Sequence, residues 1–493
     1  MTEFIPTDYD PRQTCRDFDL FQQSWLLNRD FAEMHEHILR EGRYLDRFGE
    51  GTSSSESPSQ YAWRRQASFA MDCCGELIDL RVGNIFRTAP IRHYESSPYA
   101  AFIDQFISDV DGGGTSMDQF MRSALVQYYI NGVDIVVDKT RPVGQSPQTL
   151  AQERQMGLRP YLTAMSPLQR LDWACDHAGR YKWVRYDLGS APSEDEHLPA
   201  GASRYLTLTQ KNWRLYNVTA AGDGNGVSML EGPMLLNTVP VVSFYYRQST
   251  NKANRKIPLS LLTRIAPVAR ALLNLTSQGQ LDIYMAIGIL AAAGVDADQL
   301  PREIAPMCWL GFPEGTSVQH ITPAVQHITE KREWIAMLTQ AILRMGKVAG
   351  PTGQLNTRAR SGLQVQIERT DLDNEMAATA DQAEQVERDI IRLAISRDVG
   401  RIIAADEIGY SVEYNKKYVL AGVSELVSQA REFVDLGVRE HVPQLTRLFL
   451  KRVLDAAVRK DHPDYIDIRR EISTATFVDN PAQPVTPIEE NNV

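Results

Sequence analysis

Few residue groups in this chain have the types and spacing that chemistry needs, and each can be weighed on its geometry. Gly346-Lys347 is the one Gly-Lys pair, the pair a phosphate-binding loop would use, but Val348 follows it. That loop needs a Ser or Thr hydroxyl there to hold magnesium, so an ATP-driven motor is disfavoured. The run DVDGGG at 109–114 starts like a calcium loop. Its twelfth position is Phe120, where a bidentate Glu is required, so it reads as a glycine-rich turn. His35, Glu36 and His37 look like metal ligands. Two residues apart on a helix, however, the imidazoles point about 200° from each other, which makes a solvated helix face.

Asp371, Asp373 and Glu375 could serve a metal-dependent nuclease. They fall just inside an expected helix start, where acidic side chains complement the helix dipole. Pro463-Asp464 followed by Asp467-Ile468-Arg469 echoes a nuclease core, with arginine in place of the required lysine. No GxSxG elbow occurs, and the nine histidines show no Ser/His/Asp order. These patterns predict a protein that is not an enzyme, with no catalytic residues, no metal and no cofactor.

Composition narrows the classes further. The 493 residues can bury a large core in two or three structural units. The formal net charge is −10, whereas a conventional DNA binder presents a basic face. Any DNA contact is therefore expected to be weak. Five cysteines, Cys15, Cys73, Cys74, Cys175 and Cys308, form no CxxC pair and predict neither a zinc ribbon nor a disulfide framework. A reducing compartment fits that usage. The acidic N-terminus carries no secretory pattern. The longest uncharged apolar run, 283–295, is too short to span a bilayer, so no membrane role is expected.

The elements that must position any site follow from periodicity. Residues 1–130 read as mostly helical, with Phe69, Cys73, Leu77 and Leu80 on one face. From 131 to 255 the character turns to strands, at 133–138, 171–173, 181–186, 205–209, 213–218 and 239–246, with a turn at 220–226 and a polar loop at 189–201. After Pro267 a helix is expected, with Val268, Leu272 and Leu275 sharing a face. Ile328, Ile335, Leu338, Ile342 and Met345 predict a second, long amphipathic helix. Pro301, Pro306 and Pro313 break the chain between them. A polar, basic loop at 350–362 precedes a long helix from about 361 to 398, with Leu372, Met376, Ala383, Val386, Ile390 and Leu393 on one face. Further helices are expected over 410–475, and a disordered tail over 476–493.

This layout resembles tailed-bacteriophage portal proteins. Tyr61-Ala62-Trp63-Arg64-Arg65-Gln66-Ala67-Ser68-Phe69 is similar to an N-terminal pattern of that family, and 83–90, GNIFRTAP, to its G-x-[IV]-F-x-x-x-P segment. Asn131-Gly132 leading to Val136-Val137-Asp138 resembles the family's glycine, apolar strand and aspartate. Ser166-Pro167 before Asp172-Trp173 is another shared feature. Together these cover roughly 25–450, and their order carries the likeness.

The resemblance implies an α+β, mainly helical portal fold with a wing, a two-helix stem, a small clip and a helical crown. On this chain the wing is 1–257, the stem 258–284 and 324–349, the clip 285–323, the tunnel loop and long wing helix 350–405, and the crown 406–475. Pro267 departs from the pattern, since it falls inside the first stem helix. The resemblance also implies a homo-oligomeric ring of twelve subunits at a capsid vertex of the virion, assembled in the host cytoplasm. Its partners would be double-stranded DNA without sequence specificity, the terminase large subunit, a head–tail adaptor, and the major capsid or scaffold protein. Two alternatives stand beside it: a metal-dependent nuclease of the packaging apparatus, and another structural virion connector or core protein.

In a portal ring an acidic channel wall would repel phosphates and let DNA slide. The loop would be the local exception. Lys347, Gln354, Asn356, Arg358 and Arg360 are its candidate DNA-channel residues. The competing role for these cations is to pair with carboxylates of adjacent subunits or to cap a helix. Deleting 352–358 is expected to leave rings intact and to impair DNA packaging or retention. Unaltered genome packaging in that deletion would remove the case for the loop.

Overall fold

A computed structural model gives the fold. It describes residues 10–33, 42–49, 56–139, 152, 157–190, 203–221, 224–234, 236–250, 256–285, 289–293, 317–321, 325–348, 362–416, 418, 447, 450–451, 454 and 465–474. The chain divides into two compact units, Met1–Lys416 and Lys417–Val493. His35–His37, Cys308, the prolines at 301, 306 and 313, most of the helices expected over 410–475, and the tail lie outside the described residues.

Helices α1 (Arg16–Glu33), α2 (Pro58–Ala67) and α3 (Cys73–Ile85) open the first unit. Side-chain caps set the starts of α2 and α3. Ser57 and Gln60 form a reciprocal capping box on α2, and Asp72 accepts from the Gly75 amide on α3. The short strand β1 (Ile91–His93), α4 (Ala100–Ser108) and α5 (Met117–Ile130) follow, and Ser116 with Gln119 boxes the start of α5. The expected face through Phe69 and Leu80 is corrected: both are exposed, and Phe69 precedes α3. The buried face is Cys74, Leu77, Ile78, Arg81, Val82 and Ile85. An inward arginine with partners rotated the stripe that apolarity alone suggests.

Strand β2 (Val133–Lys139) is central in a three-stranded antiparallel sheet, between β3 (Pro160–Met165) and β9 (Val241–Phe244). Both its faces are buried. Its two aspartates are tolerated inside because each meets an arginine: Asp134 meets Arg170, and Asp138 meets Arg397. A five-stranded antiparallel meander covers it: β4 (Arg170–Cys175), β5 (Tyr181–Ser190), β6 (Ser203–Thr209), β7 (Asn212–Ala221) and β8 (Gly224–Pro233). The turn expected at 220–226 is tighter than that span, since pairing continues to Ala221 opposite Gly224. The core between the sheets holds Val136, Met165, Trp173, Val184, Leu206 and Leu208, with Phe18 and Trp25 of α1 packed against them.

One carboxylate joins the two sheets. Asp134 Oδ2 accepts from Arg170 Nη1 at 3.1 Å, from the Tyr181 hydroxyl at 3.0 Å and from the Tyr186 hydroxyl at 3.1 Å. Its Oδ1 takes the Tyr245 hydroxyl at 2.5 Å. Arg170 is 0% exposed and stacks on Trp173, 4.1 Å from the ring centroid. Burial pushes the Tyr181, Tyr186 and Tyr245 hydroxyls well above the usual phenol range, so they stay protonated donors.

The remaining elements are short strands β10 (Arg247–Gln248) and β11 (Pro258–Leu259), helix α6 (Ala266–Met285), strands β12 (Ile289–Ala293) and β13 (Ser317–Ile321), and helices α7 (Val325–Met345) and α8 (Gly362–Val399). Then β14 (Ser411–Glu413) pairs antiparallel with β1, so a strand stands where a helix was expected. In the second unit the described residues include α9 (Tyr465–Thr474).

Replacing Arg170 with Met is expected to destabilise the fold by about 3–5 kcal/mol, because Asp134 then stays buried without its cation. The measurement is the denaturant midpoint followed by far-UV circular dichroism. A midpoint equal to wild type would mean that the joint between the sheets adds nothing.

Candidate functional site

The feature most suited to a function is the segment from α6 to α7. Pro267 sits in the first turn of α6, where its missing N–H is not needed, so the proline starts the helix and does not kink it. The preceding stretch 258–265 is strand and turn, which corrects the helix start expected at 258. The buried residues of α6 are Ala266, Ala269, Leu272, Leu273, Thr276 and Ser277, spaced as one helix face. Leu275, expected on that face, is only half-buried.

Polar contacts fasten this half of α6 to the body. Asn274 donates to the Tyr44 carbonyl at 2.9 Å and accepts the Asp46 amide at 2.8 Å. Ser277 accepts from Arg64 at 3.1 Å and from Ser68 at 2.7 Å. Arg64 itself is clamped by Glu56 through two hydrogen bonds, at 2.9 and 2.8 Å. Past Ser277 the enclosure ends: Gly279 has open space where a Cβ would point, and Ile283 is 64% exposed.

The chain continues from α6 into β12, which pairs antiparallel with β13 from Ile289↔Ile321 to Ala293↔Ser317, and returns along α7. Helices α6 and α7 pack against each other. With 20 and 21 residues, each is about 30 Å long. In α7, Ile342 is fully buried, while Ile335, Leu338 and Met345 are half-buried. On the adjoining face Trp334 is 57% and Met337 49% exposed. The result is a two-helix arm tipped by a β-ladder, rooted in the body at one end and carrying bare apolar side chains along its length.

The foot of α7 is fixed by close approach and by charge. A Cβ on Gly346 would lie 2.7 Å from Leu77 of α3 and 3.2 Å from the Ile342 carbonyl, so no larger residue fits without a shift. Lys347 ends the helix at φ 54°, in the left-handed region usual for glycine. The Val348 amide reaches the Leu343 carbonyl and the Lys347 amide the Arg344 carbonyl, each at 3.0 Å, which completes a Schellman-type stop.

Of the expected channel residues, Lys347 is described, and its ammonium lies 2.9 Å from Glu375 Oε2 of the same chain. Glu375 also faces Arg81 Nε at 3.4 Å, and Arg81, fully buried, donates to the Gly346 and Leu77 carbonyls. Gln354, Asn356, Arg358 and Arg360 lie outside the described residues. Asp371, Asp373 and Glu375 do not stand at a helix start: α8 begins at Gly362, so they lie in its third and fourth turns. Glu375 answers two cations there and does not complement the helix dipole.

The glycine-rich turn at 109–114 is closed by its own backbone. Asp109 accepts the Gly112 and Gly114 amides, and Asp111 the Gly113 and Thr115 amides. Among the described residues no group of three or more His, Cys, Asp or Glu side chains could hold a metal ion. Among them also, no helix is long and apolar enough to cross a membrane.

No protein-family model matches the chain, and no curated protein matches it. Among solved structures it is similar to a chain of the virion of a native gene transfer agent particle. That match has 10% identity and a TM-score of 0.37, and covers 77% of this chain and 90% of that one. It is also similar to a chain from the neck of an empty gene transfer agent particle, with 9% identity, a TM-score of 0.40, and coverage of 76% and 89%.

Substitutions at 347 separate the two tasks of that residue. Lys347→Ala loses the ion pair and keeps a Cβ in the left-handed region, whereas Lys347→Gly loses the pair and relieves the backbone. The glycine variant is expected to be more stable than the alanine variant by roughly 1 kcal/mol, read from denaturant midpoints. Equal midpoints would mean that the left-handed stop carries no strain.

Proposed function

We propose that this chain is a ring-forming virion protein, the portal through which double-stranded DNA enters and leaves a tailed-phage-like particle. One observation carries the reading: the arm formed by α6 and α7 already buries Ile342 and leaves Trp334, Met337 and Ile283 bare. A monomer gains nothing from apolar side chains in water along an exposed arm. Copies placed side by side can cover them. A contact between these side chains and a different surface of the next copy is heterologous, and such contacts close into rings when the rotation permits.

The charge fits a conduit. A formal charge of −10 per copy disfavours adhesion of the DNA backbone to the ring, so the duplex can move through it. In this reading the arms form the stem, the β12–β13 ladder belongs to the clip, and the loop after α7 borders the channel. The ring number of twelve, the capsid-vertex location, and docking of the terminase large subunit, a head–tail adaptor and the capsid or scaffold protein follow from the same reading. The protein acts in it as a structural conduit and not as an enzyme.

Negative-stain imaging of the full-length protein is expected to show rings with an axial hole. The double variant Trp334→Glu, Met337→Glu should give monomers by light scattering, with an unchanged circular dichroism spectrum, because central apolar contacts cost about 2 kcal/mol or more each when lost. Wild-type protein that stays monomeric at assembly concentrations, or intact rings from the variant, would refute the proposal.

A further inference from the structure

Between the two sheets lies a cavity of about 360 Å³ that the ring reading does not use. Its apolar wall is Val136, Met165, Leu188, Leu206 and Leu215. Its polar side carries Asp138, Tyr161, Thr163 and Arg204. A volume of this size with apolar wall on one side and polar groups converging from the other can hold a small amphipathic molecule.

One donor on its wall is left unpaired. Asp138 is fully engaged: Arg397 Nη2 donates to it at 3.1 Å, the Tyr161 hydroxyl at 3.3 Å, and the Lys139 amide at 2.8 Å. Arg204, half-buried, lines the same space, and among the described residues its Nε is shut off from solvent with no hydrogen-bond partner. A buried N–H left unpaired costs free energy and calls for an acceptor. Gly189, the partner of Arg204 in the ladder, follows a register shift after Asp187, and bulges of that kind re-aim side chains. Asp187, the nearest acid along β5, instead accepts the Gly189 amide at 2.8 Å.

We infer that this cavity is a binding site for a small carboxylate with an apolar body, its carboxylate on the Arg204 guanidinium and its body against Leu188, Leu206 and Leu215. The apolar walls take the body, and the Arg204 guanidinium selects the charged head over a neutral one. The site stands apart from the arm, so it is read by binding and not by assembly.

The test is isothermal titration of the full-length protein with hexanoate and benzoate, against hexanol and benzyl alcohol as neutral counterparts. Each acid is expected to bind about ten- to a hundredfold more tightly than its alcohol, the range for a hydrogen bond to a charged group. Arg204→Met should reduce that ratio to about one, and Arg204→Gln serves if the methionine variant does not fold. Thr163→Leu, which fills the cavity from the other side, should weaken acid and alcohol alike. Equal affinity for acid and alcohol, no binding of any probe, or a ratio that survives loss of Arg204 would overturn the assignment.

Discussion

The fold depends on how a chain rich in internal arginines and carboxylates makes their burial tolerable. Asp134 is the plainest case. It stands on the middle strand of the smaller sheet, and four side chains converge on it: Arg170 from β4, Tyr181 and Tyr186 from β5, and Tyr245 from just past β9. An isolated carboxylate there would be prohibitive. Shared among one guanidinium and three hydroxyls, some of which also bond one another, it becomes a joint that fixes one sheet on the other. Asp138 with Arg397, Glu56 with Arg64, and Glu387 with Arg92, Tyr410 and Tyr414 repeat the device at other seams. Each is a point where hydrophobic burial gives cohesion and the polar pair gives register.

The arm is built on the opposite plan. Its root is fastened by Asn274, Ser277, Gly346 and Arg81, all in close contact with the body. Its outer part has little beyond its own partner helix. A segment so well anchored at one end and so bare along its side is organised for contact outside the chain, which is why the ring reading rests on it. The cavity at Arg204 lies between the sheets and answers a different need, a buried N–H without a hydrogen-bond partner among the described residues.

Periodicity made much of this legible. The stripe of α8 runs through Leu372, Met376, Ala383, Val386 and Ile390, all buried, and the strands from 181 to 218 fall where β-branched and aromatic residues cluster. The failures share a cause. Arg81 turns the buried face of α3 away from Phe69 and Leu80, the aspartates of β2 hide a strand buried on both sides, and Glu375 sits mid-helix for the sake of Lys347 and Arg81. In each case a charged residue is inside because of a partner distant in sequence, and no local pattern reports that partner. Arg204 is the extreme example. In SRYLTLT it looks like any polar strand position, and only the three-dimensional structure shows that its Nε is buried with no hydrogen-bond partner among the described residues.

Helix α8 has a mechanical consequence. Its two acidic anchors, Glu375 near the foot of α7 and Glu387 at the β1–β14 pair, are twelve residues apart on one continuous helix, about 18 Å of axial rise. A helix buried along that stretch behaves as a stiff strut, since its backbone hydrogen bonds resist compression and its packed seam resists sliding. Push or pull delivered to the arm at Gly346 therefore reaches the far sheet as a rigid shift and is not absorbed along the way.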